Sequence, residues 1–114
     1  MKRKKIIAFD LDGTLTNKGH FKDFFDITPN KMIEIYKNMK PNKKMIALVN
    51  RLAEKYLVYI YTARSDIYQD CTVKWLKKMG VNYKFVIMNK CYFDYFVDDK
   101  AINMEQVEEW EKNL

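Results

Sequence analysis

Ile6-Ile7-Ala8-Phe9-Asp10-Leu11-Asp12-Gly13-Thr14-Leu15 runs four apolar residues directly into two carboxylates spaced i, i+2, followed at once by Gly-Thr. The apolar run reads as a buried parallel strand, and Gly13 marks where it breaks into a tight turn. Both acids then stand at or just past the strand's C-terminal end, where open α/β sheets place their ligands. Side chains alternate along a strand, so positions i and i+2 are expected on the same side. Two neighbouring carboxylates repel each other and lose solvation. A fold accommodates them when a cation lies between or when one keeps a proton. The pair therefore reads as a site.

The rest of the chain alternates helix and strand signals. Residues 16–41 are polar and irregular, with a short helix expected from Thr28-Pro29 to about Asn38, because Pro at the first helical position suits a Thr cap. Pro41-Asn42 opens a second helix, in which Met45, Ile46, Leu48, Val49 and Leu52 form an apolar stripe. Leu57-Val58-Tyr59-Ile60-Tyr61 is the second strand and ends in Thr62-Ala63-Arg64. Asp66, with Gln69 three residues on, reads as a capping box for a helix over 67–79, and Gly80 suits the position just past its end. Trp75, Leu76 and Met79 on that helix are expected in the core.

Phe85-Val86-Ile87 is a third strand, and Tyr95-Phe96-Val97 a fourth that ends in Asp98-Asp99. A last helix over 103–112 is entered through Asn103. This β-α-β-α order predicts one Rossmann-like, three-layer α/β/α domain over 1–114, with a mainly parallel sheet and right-handed crossovers. One junction resists. Parallel strands are normally joined by a dozen or more residues, and few separate Ile87 from Tyr95.

Composition narrows the setting. With 114 residues, 48% of them hydrophobic, the chain is long enough for a core, and disorder is not expected. Cys71 and Cys91 show no metal-ligand spacing and suit a reducing compartment. The basic start Met1-Lys2-Arg3-Lys4-Lys5 is followed by too short an apolar run for a signal peptide. No stretch approaches the ~20 apolar residues of a membrane span. A cytoplasmic protein without a membrane partner is expected. The net charge of +6 favours anionic partners. Nucleic acid is permitted by that charge, although no basic-aromatic motif favours it.

Four sites thus stand at expected strand ends: Asp10/Asp12, Thr62, Lys90 and Asp98/Asp99. In this order they resemble the four motifs of the haloacid dehalogenase-like hydrolases, with Asp-Leu-Asp-Gly-Thr as the first. Tyr61-Thr62-Ala63-Arg64 and Val97-Asp98-Asp99-Lys100-Ala101-Ile102 look like the small, capless members, including phosphatases associated with capsular polysaccharide synthesis. The resemblance implies a Mg²⁺-dependent phosphomonoesterase. Asp10 would attack phosphorus and form an aspartyl-phosphate. Asp12 would protonate the leaving alkoxide and later deprotonate the hydrolytic water. Thr62 would donate its hydroxyl to a phosphate oxygen, and Lys90 would neutralise Asp10 and the incoming phosphate.

For Mg²⁺, the resemblance supplies the Asp10 carboxylate, the Asp12 backbone carbonyl and Asp98, with Asp99 alongside or acting through water. Ala63 and Arg64 follow Thr62 as substrate-binding candidates; Arg64 is near enough to take a second anion, and a surface role suits it equally. The chemistry agrees independently, because phosphoryl transfer needs an in-line nucleophile and cationic or N–H donors for the equatorial oxygens.

The spacing leaves no room for a full cap domain, so the resemblance implies an open site for a large or polymeric substrate, or one closed by a partner. A phosphorylated sugar or glycan precursor is the expected substrate. The alternatives are a nucleic-acid 3′-phosphatase, a receiver-like signalling module, a glycosyltransferase using Asp10-Leu11-Asp12 as its metal motif, and a non-catalytic phospholigand binder. His20 in the polar segment carries no assigned role. Phe21, Phe24 and Phe25 are expected in the core, or alternatively under a small flap or in a partner-facing patch. Oligomeric state is not legible in the sequence.

Overall fold

A computed structural model describes residues 3–18 and 27–114. The elements are β1 (Ile6–Phe9), α1 (Pro29–Lys37), α2 (Lys43–Ala53), β2 (Leu57–Tyr61), α3 (Gln69–Lys78), β3 (Phe85–Ile87) and α4 (Val107–Lys112), with short 3₁₀ turns at Asp66–Tyr68 and Met104–Gln106. The strands form an open sheet in the order β1-β2-β3, and both pairings are parallel. This is an α/β fold, consistent with a Rossmann-like α/β/α domain. His20, Phe21, Phe24 and Phe25 lie outside the described residues. Among those described, no helix is long and apolar enough to cross a membrane.

Local chemistry explains the boundaries. Thr28 accepts a hydrogen bond from the Lys31 N–H ahead of Pro29, and Asn42 accepts one from Met45, so α1 and α2 begin where their caps stand. The expected capping box at Asp66 is replaced by Ser65, whose Oγ takes the Ile67 N–H and starts a 3₁₀ turn before α3. α3 closes with a paired hydrogen-bond lock: Val81 N–H donates to the Leu76 carbonyl and Gly80 N–H to that of Lys77, at 3.0 and 3.1 Å. That lock requires the left-handed backbone at Gly80, φ +69°. Asn103 accepts from Glu105 N–H and opens the turn ahead of α4.

The core gathers Phe9, Val58 and Ile60 from the strands, Leu48, Val49 and Leu52 from α2, Met32 and Tyr36 from α1, and Trp75 and Leu76 from α3. Leu11 and Leu15 from the loop after β1 join it fully buried. Each such side chain contributes about 1.5–3 kcal/mol relative to exposure. Met79 packs against this core only partly buried. The register puts Ile6, Ala8, Tyr59 and Phe85 on the opposite face of the sheet, where Ile6, Ala8 and Phe85 are exposed. β1 is thus buried on one face, a correction to the fully buried strand expected from its apolar run.

The expected fourth strand at Tyr95-Phe96-Val97 is not formed; residues 91–106 are exposed and carry no strand. The reason lies just upstream. Lys90 N–H donates to the Thr62 carbonyl at 2.9 Å, tying the chain to the C-terminal end of the sheet. A parallel fourth strand would start at the opposite end. Only Cys91–Asp94 remain to cross, about 13 Å at full stretch, where parallel crossovers normally take a dozen or more residues. β1 instead lines a groove of about 580 Å³ together with Phe96, Asp98, Ile102 and Trp110.

Candidate active site

Past β1 the chain folds on itself instead of continuing extended. The Leu11 carbonyl accepts from the N–H groups of Thr14, Leu15 and Thr16 at 3.1, 2.8 and 3.1 Å. Gly13 N–H donates to Thr16 Oγ1 at 3.0 Å, and Gly13 sits at φ +81°, a backbone that side-chain-bearing residues rarely adopt. This turn cancels the alternation of a strand, so Asp10 and Asp12 enter different surroundings.

Asp10 lines the groove, its side chain 42% exposed. Its Oδ1 accepts from Lys90 Nζ at 3.2 Å. Lys90 gets there through a well-held loop. Thr62 N–H donates to the Ile87 carbonyl and Asn89 N–H to the Arg64 carbonyl, at 2.9 and 2.8 Å. Asn89 is left-handed at φ +65°, and its side-chain oxygen accepts from Asp66 N–H at 3.0 Å. The loop after β3 is thus zipped to the loop after β2, which brings Lys90 over the end of β1. The Lys90 ammonium also lies 5.3 Å from the centre of the Tyr61 ring.

Asp12 is buried and faces Arg64. Arg64 Nε donates to one carboxylate oxygen at 2.9 Å and Nη2 to the other at 2.7 Å, with side-chain exposures of 0% and 1% for the two residues. Nη1 donates to Thr72 Oγ1 at 3.0 Å, and Nη2 also reaches Met39 Sδ at 3.8 Å. The guanidinium carbon lies 3.6 Å from the centre of the Tyr36 ring. Burial pushes the Tyr36 phenol up to about 12, with the Arg64 charge acting in the opposite sense. Around this cluster, Trp75 Nε1 donates to the Met39 carbonyl at 2.8 Å, and Tyr36 meets Tyr68 edge to face. Each of the two acids has its own protein cation, Lys90 for Asp10 and Arg64 for Asp12.

Arg64 was expected to face a substrate anion or the surface. Both are corrected here, because its donors are turned inward onto Asp12 and Thr72. Thr62 is buried as well, and its Oγ1 accepts from Arg64 N–H at 3.2 Å; a hydroxyl that accepts in this way retains its own O–H to donate. Ala63 is half-buried beside it. Asp98 lines the same groove as Asp10, and its Oδ1 accepts from Asp99 N–H at 2.8 Å. Asp99 is exposed, and neither residue ends a strand.

Among the described residues, no three His, Cys, Asp or Glu side chains stand close enough to share a metal ion. Two hard-oxygen carboxylates, Asp10 and Asp98, do line one groove, a donor type that suits Mg²⁺ completed by water. The Asp12 carboxylate, engaged by Arg64, is not available as a third. Cys71 is half-buried and Cys91 exposed, and both are free thiols.

Tyr36, Met39 and Thr72 carry no motif and were missed as part of this site. Thr72 leaves a trace, because it shares the buried face of α3 with Trp75 and Leu76 at positions i, i+3 and i+4. A hydroxyl on an apolar stripe needs a buried partner.

No family model matches this sequence, and no curated protein does. Solved structures do match. A structural-genomics target from Vibrio cholerae aligns with a TM-score of 0.65 at 22% identity, covering 96% of this chain and 99% of that one. Chains of a Pnkp1/Rnl/Hen1 complex, also described as an RNA repair complex, align with TM-scores of 0.55 at 23% and 20% identity. This chain spans about a third of those two, 34% and 30% of their lengths. At these identities the likeness is one of fold.

Proposed function

We propose that this chain is a phosphomonoester hydrolase in which Asp10 is the nucleophile. The observation that carries the reading is the Asp10–Lys90 pair at the mouth of an open groove, past the C-terminal ends of parallel strands. An ammonium beside a half-exposed carboxylate neutralises the charge that a phosphate dianion would meet there. The order of Asp10, Asp12, Thr62, Lys90 and Asp98 along the chain adds the resemblance to haloacid dehalogenase-like hydrolases.

In the first step an Asp10 oxygen bonds to phosphorus as the P–O bond to the alcohol breaks, and Asp12 gives its proton to the departing alkoxide. In the second, Asp12 takes a proton from water, whose oxygen displaces Asp10 from phosphorus and releases inorganic phosphate. Lys90 and the Thr62 hydroxyl serve the equatorial oxygens. Asp10, Asp98 and the Asp12 backbone carbonyl would hold Mg²⁺, which when bound neutralises charge on the phosphoryl oxygens; Asp99 and the Asp12 carboxylate stay outside that set.

A phosphorylated sugar or glycan precursor fits the open groove. A nucleic-acid 3′-phosphate is the second reading, favoured by the fold likeness to chains of an RNA repair complex and by the positive charge. Steady-state hydrolysis of an aryl phosphate with Mg²⁺, with EDTA and with Asp10→Asn tests the chemistry; activity is expected only where both Mg²⁺ and Asp10 are present. Sugar phosphates then compete against 3′-phosphorylated oligonucleotides, and steep weakening by salt marks the nucleic-acid reading. A folded, Mg²⁺-supplied protein that hydrolyses none of these is a phospholigand binder instead. Stable retention of phosphate on Asp10 would make it a signalling module.

A further inference from the structure

The Arg64–Asp12 pair has a second consequence, which rests on the phosphatase reading above. We propose that Arg64 is a positioning residue for Asp12, and that Tyr36 is the platform that holds Arg64, so that the leaving-group step depends on a side chain from α1. Arg64 itself does not address substrate, because its donors are turned onto Asp12 and Thr72. What it can do is fix Asp12.

Two parallel N–H···O bonds from one planar fork set both the direction and the plane of a carboxylate, which a lysine ammonium cannot do. The fork is in turn held on every side. Thr72 takes Nη1, Met39 sulfur lies against Nη2, and Tyr36 covers the flat face at 3.6 Å. The Arg64 backbone is tied on one side to the Thr62 hydroxyl and on the other to the Asn89 N–H, next to Lys90. One residue therefore connects three of the proposed reacting groups without touching substrate. Proton delivery requires a donor held within about 2.6–3.2 Å of the leaving oxygen. An Asp12 free to rotate about its own side-chain bonds would meet that condition only part of the time.

Leaving-group chemistry separates this role from a merely structural one. An acidic phenol departs without a proton, whereas an alkoxide does not. Wild type, Asp12→Asn, Arg64→Lys, Tyr36→Phe and Tyr36→Leu are compared with Mg²⁺ in the first turnover, by the rate of alcohol release from p-nitrophenyl phosphate and from glycerol 2-phosphate, because the second step uses Asp12 for both esters alike; thermal melts establish folding. Arg64→Lys is expected to lower the first-turnover rate on the alkyl ester by about 10²-fold or more, within the range of general acid–base help. The loss of first-turnover rate on the aryl ester is expected to stay under about tenfold, the same pattern as Asp12→Asn. Tyr36→Leu should show a milder form of that selectivity, and Tyr36→Phe, which keeps the ring face, should restore wild-type behaviour.

Equal first-turnover losses on both esters would overturn the role of Arg64 while leaving the phosphatase intact. If Arg64→Lys does not fold, Tyr36→Leu decides, and behaviour identical to Tyr36→Phe overturns the proposal. A wild type inactive on both esters is the failure of the phosphatase reading, and it removes the positioning role with it.

Discussion

Lys90 Nζ stands 3.2 Å from Asp10 Oδ1 although eighty positions separate the two residues along the chain. The loops after β2 and β3 are hydrogen-bonded to each other, and this carries the ammonium across the sheet to the end of β1. Both side chains remain partly exposed, at 29% and 42%, so the pair contributes at most about 1 kcal/mol to stability. Lys90→Met is therefore expected to melt within a few degrees of wild type while losing about 10²–10³-fold in kcat on an aryl phosphate. Wild-type turnover by Lys90→Met would remove Lys90 from the reaction.

The two aspartates should separate sharply in stability. Asp12→Ala strands the buried Arg64 guanidinium and is expected to cost about 3–5 kcal/mol. Asp10→Ala gives up only the partly exposed pair with Lys90 and should cost under about 1 kcal/mol. Urea denaturation of the two variants measures the contrast, and similar midpoints would mean that the Asp12–Arg64 pair is not held as described.

Val97 is 98% exposed and belongs to no strand. Val97→Pro should accordingly leave stability within about 0.5 kcal/mol of wild type. Ile60→Ala, at a fully buried position of the central strand, should cost about 2–5 kcal/mol. A comparable loss from Val97→Pro would show that Tyr95–Val97 pairs with the free edge of β1 in solution, because proline removes a ladder donor.

α4 packs Val107 and Trp110 against the core and is also paired to α2 by charge. Arg51 grips Glu111 through two hydrogen bonds of 3.0 and 2.9 Å, and Lys44 pairs with Glu108. The hydrogen bonds from these cations hold both carboxyls below their usual range. A folded value lower than the unfolded one contributes stability above the ordinary glutamate range, and that contribution is lost as pH falls through the lowered folded value. The melting temperature should fall between about pH 5 and 3 more steeply in wild type than in Arg51→Gln, Lys44→Gln. Because these groups lie at the surface, salt should shrink the difference. Parallel pH profiles for the two proteins would show that these pairs do not hold α4.

Much of the architecture was legible along the chain because it is set by neighbours in sequence. The strands at Leu57–Tyr61 and Phe85–Ile87 form where β-branched and aromatic residues cluster. α1 and α2 begin at Thr28 and Asn42, whose side chains cap their own next turn, and α3 ends where Gly80 can turn left-handed. Lys90 could be singled out by its order among the other polar residues at strand ends. Asp10 stood out in the same way, at the end of an apolar run.

What each of these residues touches was decided in three dimensions. Asp10 and Asp12 part because three N–H groups converge on the Leu11 carbonyl and close a turn where a strand would have kept both acids on one side. Arg64 is turned inward because Asp12, Thr72 and Tyr36, from three separate segments, form a pocket whose charge and flat face match a guanidinium. Tyr95-Phe96-Val97 has the composition of a strand and no strand partner, because the Lys90 tether leaves too little chain to reach one. Propensity and capping act within a few residues and can be read along the chain. Ion pairing, burial and strand addition depend on which distant segments meet, and only the folded molecule brings them together.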